Sequence, residues 1–272
     1  MTQVNSAATT RADNARALFS CSADTSTTSE VPMSRTALVT GGTRGIGRAI
    51  AEALHADGHT VAVTYHGDET HAAAFRRETG IAAYRWDVAD FAACASGVAE
   101  VEAALGPIGI LVNNAGIVRD APLHRMSQEQ WSQVIATDLD SLFNMCRQVI
   151  GGMRERGFGR IVNVGSVNAQ KGQFGQTNYA AAKAGVIGFT KALALESARC
   201  GITVNCIAPG YCDTDMLKAV REDVMASIIA AIPVGRLGTP AEVARAVRFL
   251  AGEDAGFITG ATLALNGGQY LS

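Results

Sequence analysis

At 272 residues the chain can bury a substantial core, and 48% hydrophobic against 18% charged residues excludes an intrinsically disordered protein. A formal net charge of −2 supplies no global field for nucleic acid or an anionic membrane surface, and no run of about 18 apolar residues predicts a membrane-crossing helix. The six cysteines form no CxxC pair and read as reduced core thiols, which predicts a cytoplasmic protein without a metal site.

Residues 1–32 are rich in Ser, Thr, Ala and Asn, lack the apolar stretch of a signal peptide, and predict a disordered extension ahead of one domain over residues 33–272. From Arg35 onwards short β-branched runs alternate with helical stretches. Strands are predicted at 36–40, 60–65, 81–86, 110–113, 160–164, 203–207 and 261–265. Helices are predicted at 45–57, 69–79, 91–105, 127–156, 178–199, near 213–230 and at 240–251, with Ser127 and Gln130 fitting a capping box. This alternation predicts an α/β fold: a single doubly wound Rossmann domain with a parallel sheet and helices on both faces. Right-handed crossovers then gather the C-terminal strand ends on one edge, where ligands bind.

Between the first strand and the first helix lies Thr40-Gly41-Gly42-Thr43-Arg44-Gly45-Ile46-Gly47. Glycines permit the tight turn and close backbone approach, and the helix N-terminus offers free N–H groups to a pyrophosphate. Further along stand Asp87-Val88, Asn113-Asn114-Ala115-Gly116, Pro209-Gly210 and Thr214, each after a predicted strand. Tyr179 and Lys183 are four positions apart (183 − 179), so a helix places them on one face, and Ser166 follows strand five. A free tyrosine ionises near pH ~10, and a neighbouring ammonium favours its phenolate.

In this order the motifs resemble the short-chain dehydrogenase/reductase family over about residues 35–272. The resemblance implies a seven-stranded sheet of order 3-2-1-4-5-6-7 and a nicotinamide dinucleotide bound by Gly41, Thr43, Arg44, Gly45, Ile46, Gly47, Asp87, Val88, Asn114, Ala115, Gly116, Pro209, Gly210 and Thr214, together with Tyr179 and Lys183. Strand two ends in Tyr65-His66 rather than a carboxylate for a ribose hydroxyl, and Arg44 suits a phosphate, so the expected cofactor is NADP(H). By the same resemblance Tyr179 is the proton donor to a carbonyl oxygen, Lys183 supports Tyr179 and binds the nicotinamide ribose, and Ser166 donates a hydrogen bond to that oxygen. The family's fourth catalytic residue is an Asn whose backbone carbonyl holds a water leading towards the lysine. Here the segment reads Thr137-Asp138-Leu139, so Asp138 takes that place. It could keep the carbonyl role, or its carboxylate could favour the charged form of Lys183.

The stretch from Ser166 to Tyr179, with Arg119-Asp120, Gly159 to Asn163 and Pro209-Gly210-Tyr211, is similar to the acetoacetyl-CoA reductases within that family, which serve polyhydroxyalkanoate synthesis. This implies an acyl pocket lined by Gln173, Phe174, Gln176 and Tyr211, an acyl-CoA substrate and a homotetramer. An acyl-carrier-protein reductase shares these motifs, and Arg119, Arg125 and Arg160 could face either a carrier protein or CoA phosphates. A non-catalytic NADP-binding scaffold is the alternative of another class.

Overall fold

A computed structural model describes residues 34–214, 217 and 221–271. The predicted extension over residues 1–32, Cys21 with it, lies outside the described residues, as does most of 215–220.

The apolar runs form seven strands: β1 (Thr36–Val39), β2 (Thr60–Tyr65), β3 (Ala82–Arg85), β4 (Ile108–Asn113), β5 (Gly159–Val164), β6 (Ile202–Pro209) and β7 (Thr262–Leu265). They make one all-parallel sheet of order β3-β2-β1-β4-β5-β6-β7. Successive side chains of a strand point to opposite faces, so each strand feeds two cores. In β1, Ala37 and Val39 join one cluster and Leu38 the other.

The helices cover both faces. The first core packs Ile50 and Leu54 of α1 (Gly45–Ala56), Phe75 of α2 (Glu69–Thr79) and Val243, Val247 and Leu250 of α9 (Pro240–Ala251). The second packs α3 (Phe91–Leu105), α5 (Ser141–Arg156) and α7 (Thr177–Ser197), through Val98, Met145, Val149 and Ala194. Each fully buried Leu, Ile or Phe contributes about 1.5–3 kcal/mol. The five described cysteines, at 94, 146, 200, 206 and 212, are buried as thiols in these layers.

Three local features differ from the periodicity. The expected continuous helix over 127–156 is α4 (Gln128–Ile135), with its Ser127/Gln130 capping box, then a π turn (Ala136–Asp140), then α5. Apolar spacing averages across one extra residue in a turn and so hides it. A short helix α6 (Asn168–Lys171) follows β5, and the helix expected near 213–230 is present as α8 (Glu222–Ala230). Arg160 opens β5 at the opposite end from the site, 5% exposed. It cannot reach a carrier protein or CoA there, because alternation along β5 and the strand's polarity bury its guanidinium at the N-terminal edge.

Candidate active site

The C-terminal ends of β1, β4, β5 and β6 lie along one edge of the sheet, and the glycine turn, Asn114 and Ser166 follow these strands there, whereas Arg160 stands at the other end. Helices α2, α3, α4 and α9 begin with a side chain of Asp68, Asp90, Ser127 or Thr239 accepting a first-turn N–H. Helix α1 begins at Arg44 with no such cap and no acidic residue in its first turn. Its N–H groups and dipole therefore stay available to an anion.

The turn before α1 is built around absent side chains. Gly41 and Gly45 have φ of 63° and 55°. A Cβ on Gly47 would come within 2.3 Å of the Gly41 carbonyl oxygen, so only glycine lets the chain close here. Asn114 holds the turn from β4, its side-chain amide donating to the carbonyls of Thr40 (2.9 Å) and Gly41 (3.2 Å). The Thr40 hydroxyl accepts the N–H groups of Asn114 (2.9 Å) and Ala115 (3.0 Å). Thr214 faces Gly45 across the cleft, its methyl 3.7 Å from where a Cβ would stand. The uncapped helix, glycine turn and facing threonine fit a dinucleotide pyrophosphate.

At the end of β2 the nearby carboxylates are already engaged. Asp68 accepts the N–H of His71 (3.0 Å) and pairs with its ring, which holds its carboxyl below the usual range with help from Arg44. Glu69 is bound by the Tyr65 hydroxyl and the Arg76 guanidinium. Arg44 is exposed. Beyond β3, Asp87 accepts the N–H of Ala89 (2.9 Å), while Val88 is buried and its carbonyl accepts the Asn144 side chain (2.9 Å).

Tyr179, Lys183 and Asp138 lie together, and Ser166 follows two residues after Val164, whose carbonyl Lys183 reaches. Ser166 is 7% exposed, and its oxygen accepts the backbone N–H of Asn168 (3.1 Å), leaving its proton free to be donated outward. Helix α7 stacks Lys183 under Tyr179, with the ammonium 5.7 Å from the phenol ring centre. The same ammonium donates to the Val164 carbonyl (3.0 Å) and lies 3.3 Å from Asp138 Oδ2. Asp138 is fully buried, and its Oδ1 accepts the N–H of Ile117 (2.8 Å). Burial pushes the Asp138 carboxyl upward. Burial would push Lys183 downward, but Asp138 and, after it, Tyr179 together outweigh it and hold the ammonium above the usual lysine range.

The predicted pocket residues divide. Gln176 accepts from Asn168 (2.9 Å) and donates to Asp120 (2.9 Å). Tyr211 is half-buried, with Lys171 5.9 Å over its ring, and burial pushes its phenol upward despite the Asn168 amide beside it. Gln173 and Phe174 are exposed, Phe174 at 86%, so Phe174 is not a core aromatic.

Sequence reasoning missed Asn168, which joins Ser166, Gln176 and Tyr211, and Asn178, which is fully buried. The Asn178 amide donates to the carbonyls of Arg119 (3.0 Å) and Gln130 (3.2 Å), and its oxygen accepts the Tyr179 N–H (2.8 Å). The signal available was a pair of asparagines inside a site motif, a residue type favoured where backbone groups need partners. Among the described residues no group of three or more His, Cys, Asp or Glu could hold a metal ion, and no helix is long and apolar enough to cross a membrane.

Residues 41–269 match the family model described as enoyl-(acyl carrier protein) reductase. The chain is 61% identical over 241 residues to the acetoacetyl-CoA reductase of Rhizobium meliloti (strain 1021), covering 88% of this chain and 100% of that protein. It is 60% identical to the acetoacetyl-CoA reductase of Shinella zoogloeoides over the same shares. To the 3-oxoacyl-(acyl-carrier-protein) reductase of Vibrio harveyi it is 48% identical, over 86% of this chain and 97% of that one.

Proposed function

The chain belongs to the short-chain dehydrogenase/reductase family of nicotinamide-dependent oxidoreductases, and on that premise we propose that it reduces acetoacetyl-CoA to (R)-3-hydroxybutyryl-CoA with NADPH, as a supplier of polyhydroxyalkanoate precursor in the cytoplasm. The observation that carries this reading is Lys183 set beside Tyr179 and bonded to the end of β5 just before Ser166, in a chain 59–61% identical to three acetoacetyl-CoA reductases.

The bound nicotinamide supplies the hydride. Tyr179 donates the proton to the ketone oxygen at its hydroxyl. Ser166 donates a hydrogen bond to the same oxygen, because its own lone pair is occupied by the Asn168 N–H. Lys183 holds positive charge beside Tyr179 and binds the ribose. Gln176 and Tyr211 orient the acyl group, with Gln173 and Phe174 at the mouth. Arg44 binds the 2′-phosphate, supported by the engagement of Asp68 and Glu69 elsewhere.

Two exposed apolar faces support a homotetramer. Phe91 and Phe143 stack at 5.8 Å on the α3/α5 face, with Leu195 of α7 79% exposed. Phe249, Phe257 and Leu263 form the other, beside the edge strand β7. Light scattering at micromolar concentration checks this, and a monomer would contradict it.

The deciding assay is loss of NADPH absorbance with acetoacetyl-CoA, with the product's configuration determined by chiral analysis. The Vibrio relative's name favours a second reading, reduction of 3-oxoacyl-carrier-protein thioesters. A kcat/KM for a carrier-protein thioester above that for acetoacetyl-CoA would establish it instead. No turnover of either would defeat both.

A further inference from the structure

Three neighbouring elements are shaped around the Asp138 carboxylate. The π turn carries it inward to complete burial, a conformation that often marks functional positions. The loop after β4 supplies the Ile117 N–H to its Oδ1 at 2.8 Å. The preceding residue is Gly116, where a Cβ would lie 2.8 Å from Asp138 Oδ2 and 3.3 Å from Lys183 Nζ. No side chain fits between the pair and the backbone that carries the Asn114-Ala115-Gly116 motif. Asp138 Oδ2 has no hydrogen-bond donor that satisfies good geometry, so the 3.3 Å ion pair with Lys183 is what faces it.

The surroundings of Lys183 are otherwise almost uncharged. The Val164 carbonyl accepts its proton from the end of β5, and Tyr179 faces it from its own helix. The Cys206 thiol faces it from β6, and burial pushes that thiol up to about 11, so it is neutral at ordinary pH. An ammonium only 4% exposed is costly to keep charged, and of the groups around it Asp138 does most to hold its proton, followed by Tyr179.

We propose that Asp138 is a positioning residue that acts as the dedicated counter-ion of Lys183, keeping its ammonium charged and in place through the alkaline range, where an uncharged amide at position 138 would leave it to deprotonate. The amide of an asparagine could still accept the Ile117 N–H, but it brings no charge to offset the burial of the lysine. The pair therefore extends cofactor binding and turnover to higher pH. The sign follows from Lys183 itself. A buried amine whose folded-state value is raised contributes its stabilisation fully below the unfolded value, near pH ~10.4, and loses it only as pH rises through the raised value.

The inference uses the proposed role of Lys183 at the ribose, so its primary readout is binding rather than turnover. NADPH affinity of the whole chain, by fluorescence, is measured from neutral to alkaline pH for the parent and Asp138→Asn, with circular dichroism confirming that each remains folded. In the parent, affinity holds until alkaline unfolding. In Asp138→Asn it falls by about tenfold per pH unit within the folded range, as expected for loss of one proton. Adding Lys183→Met to Asp138→Asn removes that pH dependence. Gly116→Ala, which crowds the carboxylate without removing it, gives an alkaline limb between the two and keeps the test decisive if the asparagine variant fails to fold. Identical limbs in the parent and in the folded variants would overturn the proposal. A parent that binds NADPH but fails to reduce acetoacetyl-CoA would defeat the proposed function and leave this test standing.

Discussion

Strand β5 holds a buried cation at each end, and the two could hardly be settled more differently. At the N-terminal end, Arg160 is 5% exposed and donates to the carbonyls of Gly252 (3.1 Å), Gly159 (3.0 Å), Gly201 (3.3 Å) and Glu253 (3.2 Å). Its guanidinium lies 4.5 Å from the centre of the Phe158 ring, whose other contact is Arg35 at 3.9 Å. At the C-terminal end, Lys183 is 4% exposed and has one carbonyl, one carboxylate and a phenol. Burial pulls Arg160 below the usual arginine range, whereas Asp138, with Tyr179, keeps Lys183 above the lysine range in spite of its burial. Depth of burial is thus the same for a cation that ties loops together and for one proposed to do chemistry. What separates them is whether the partners are backbone acceptors fixed by the fold or ionisable groups that can move a proton.

The sharpest break of the comparison is at the chemical end. Tyr179→Phe removes a hydroxyl and keeps the ring, so turnover is expected to fall by about 10²–10⁴-fold while NADPH binding and melting temperature stay close to the parent. Near-normal turnover on acetoacetyl-CoA would sink the assignment of Tyr179. At the other end of β5, Arg160→Met leaves buried carbonyls without donors. It is expected to cost about 3 kcal/mol of unfolding free energy by urea titration, at unchanged kcat per folded molecule. A loss of kcat without a loss of stability would make Arg160 part of the site after all.

Smaller effects test the exposed charges. Arg44→Ala removes one guanidinium from the end of α1 and should weaken NADPH by about 1.5–3 kcal/mol, with NADH little changed. Equal weakening of both cofactors would show that Arg44 does not read the 2′-phosphate. The least effect is expected from deleting residues 1–32. Their composition offers too few apolar groups to offset the entropy of ordering, so activity and melting temperature should be unchanged. A fall of several degrees would show that the segment packs on the domain.

Much of the site was legible because its chemistry depends on local spacing. Tyr179 and Lys183 share a helix face by periodicity, and the glycines of the first turn must be adjacent in sequence to make it. The same locality made α1, α2, α3 and α9 readable to within a residue, since each apolar stripe lies within one element. Asn178 was not legible as a support, because its partners stand far along the chain: it reaches Arg119 and Gln130, and neither spacing nor hydropathy couples those positions. Arg160 was misplaced for a related reason, since a charged residue in an apolar strand reads as exposed until three distant carbonyls are brought around it.

By itself the sequence determined the order of strands and helices, the parallel sheet, the glycine turn before α1 and the pairing of Tyr179 with Lys183 on one helix face. These rest on backbone periodicity, on steric freedom at glycine and on the handedness of crossovers, all of which act over a few residues. Only the tertiary structure decided where the Asp138 carboxylate lies. Its position was visible as a departure within Thr137-Asp138-Leu139, and the sequence left its backbone carbonyl and its carboxylate equally eligible. The π turn buries the side chain, Gly116 leaves room for it, and Lys183 lies 3.3 Å away. The charge state of a buried group depends on the groups that replace water around it, and here those come from four segments separated in sequence and joined only by the fold.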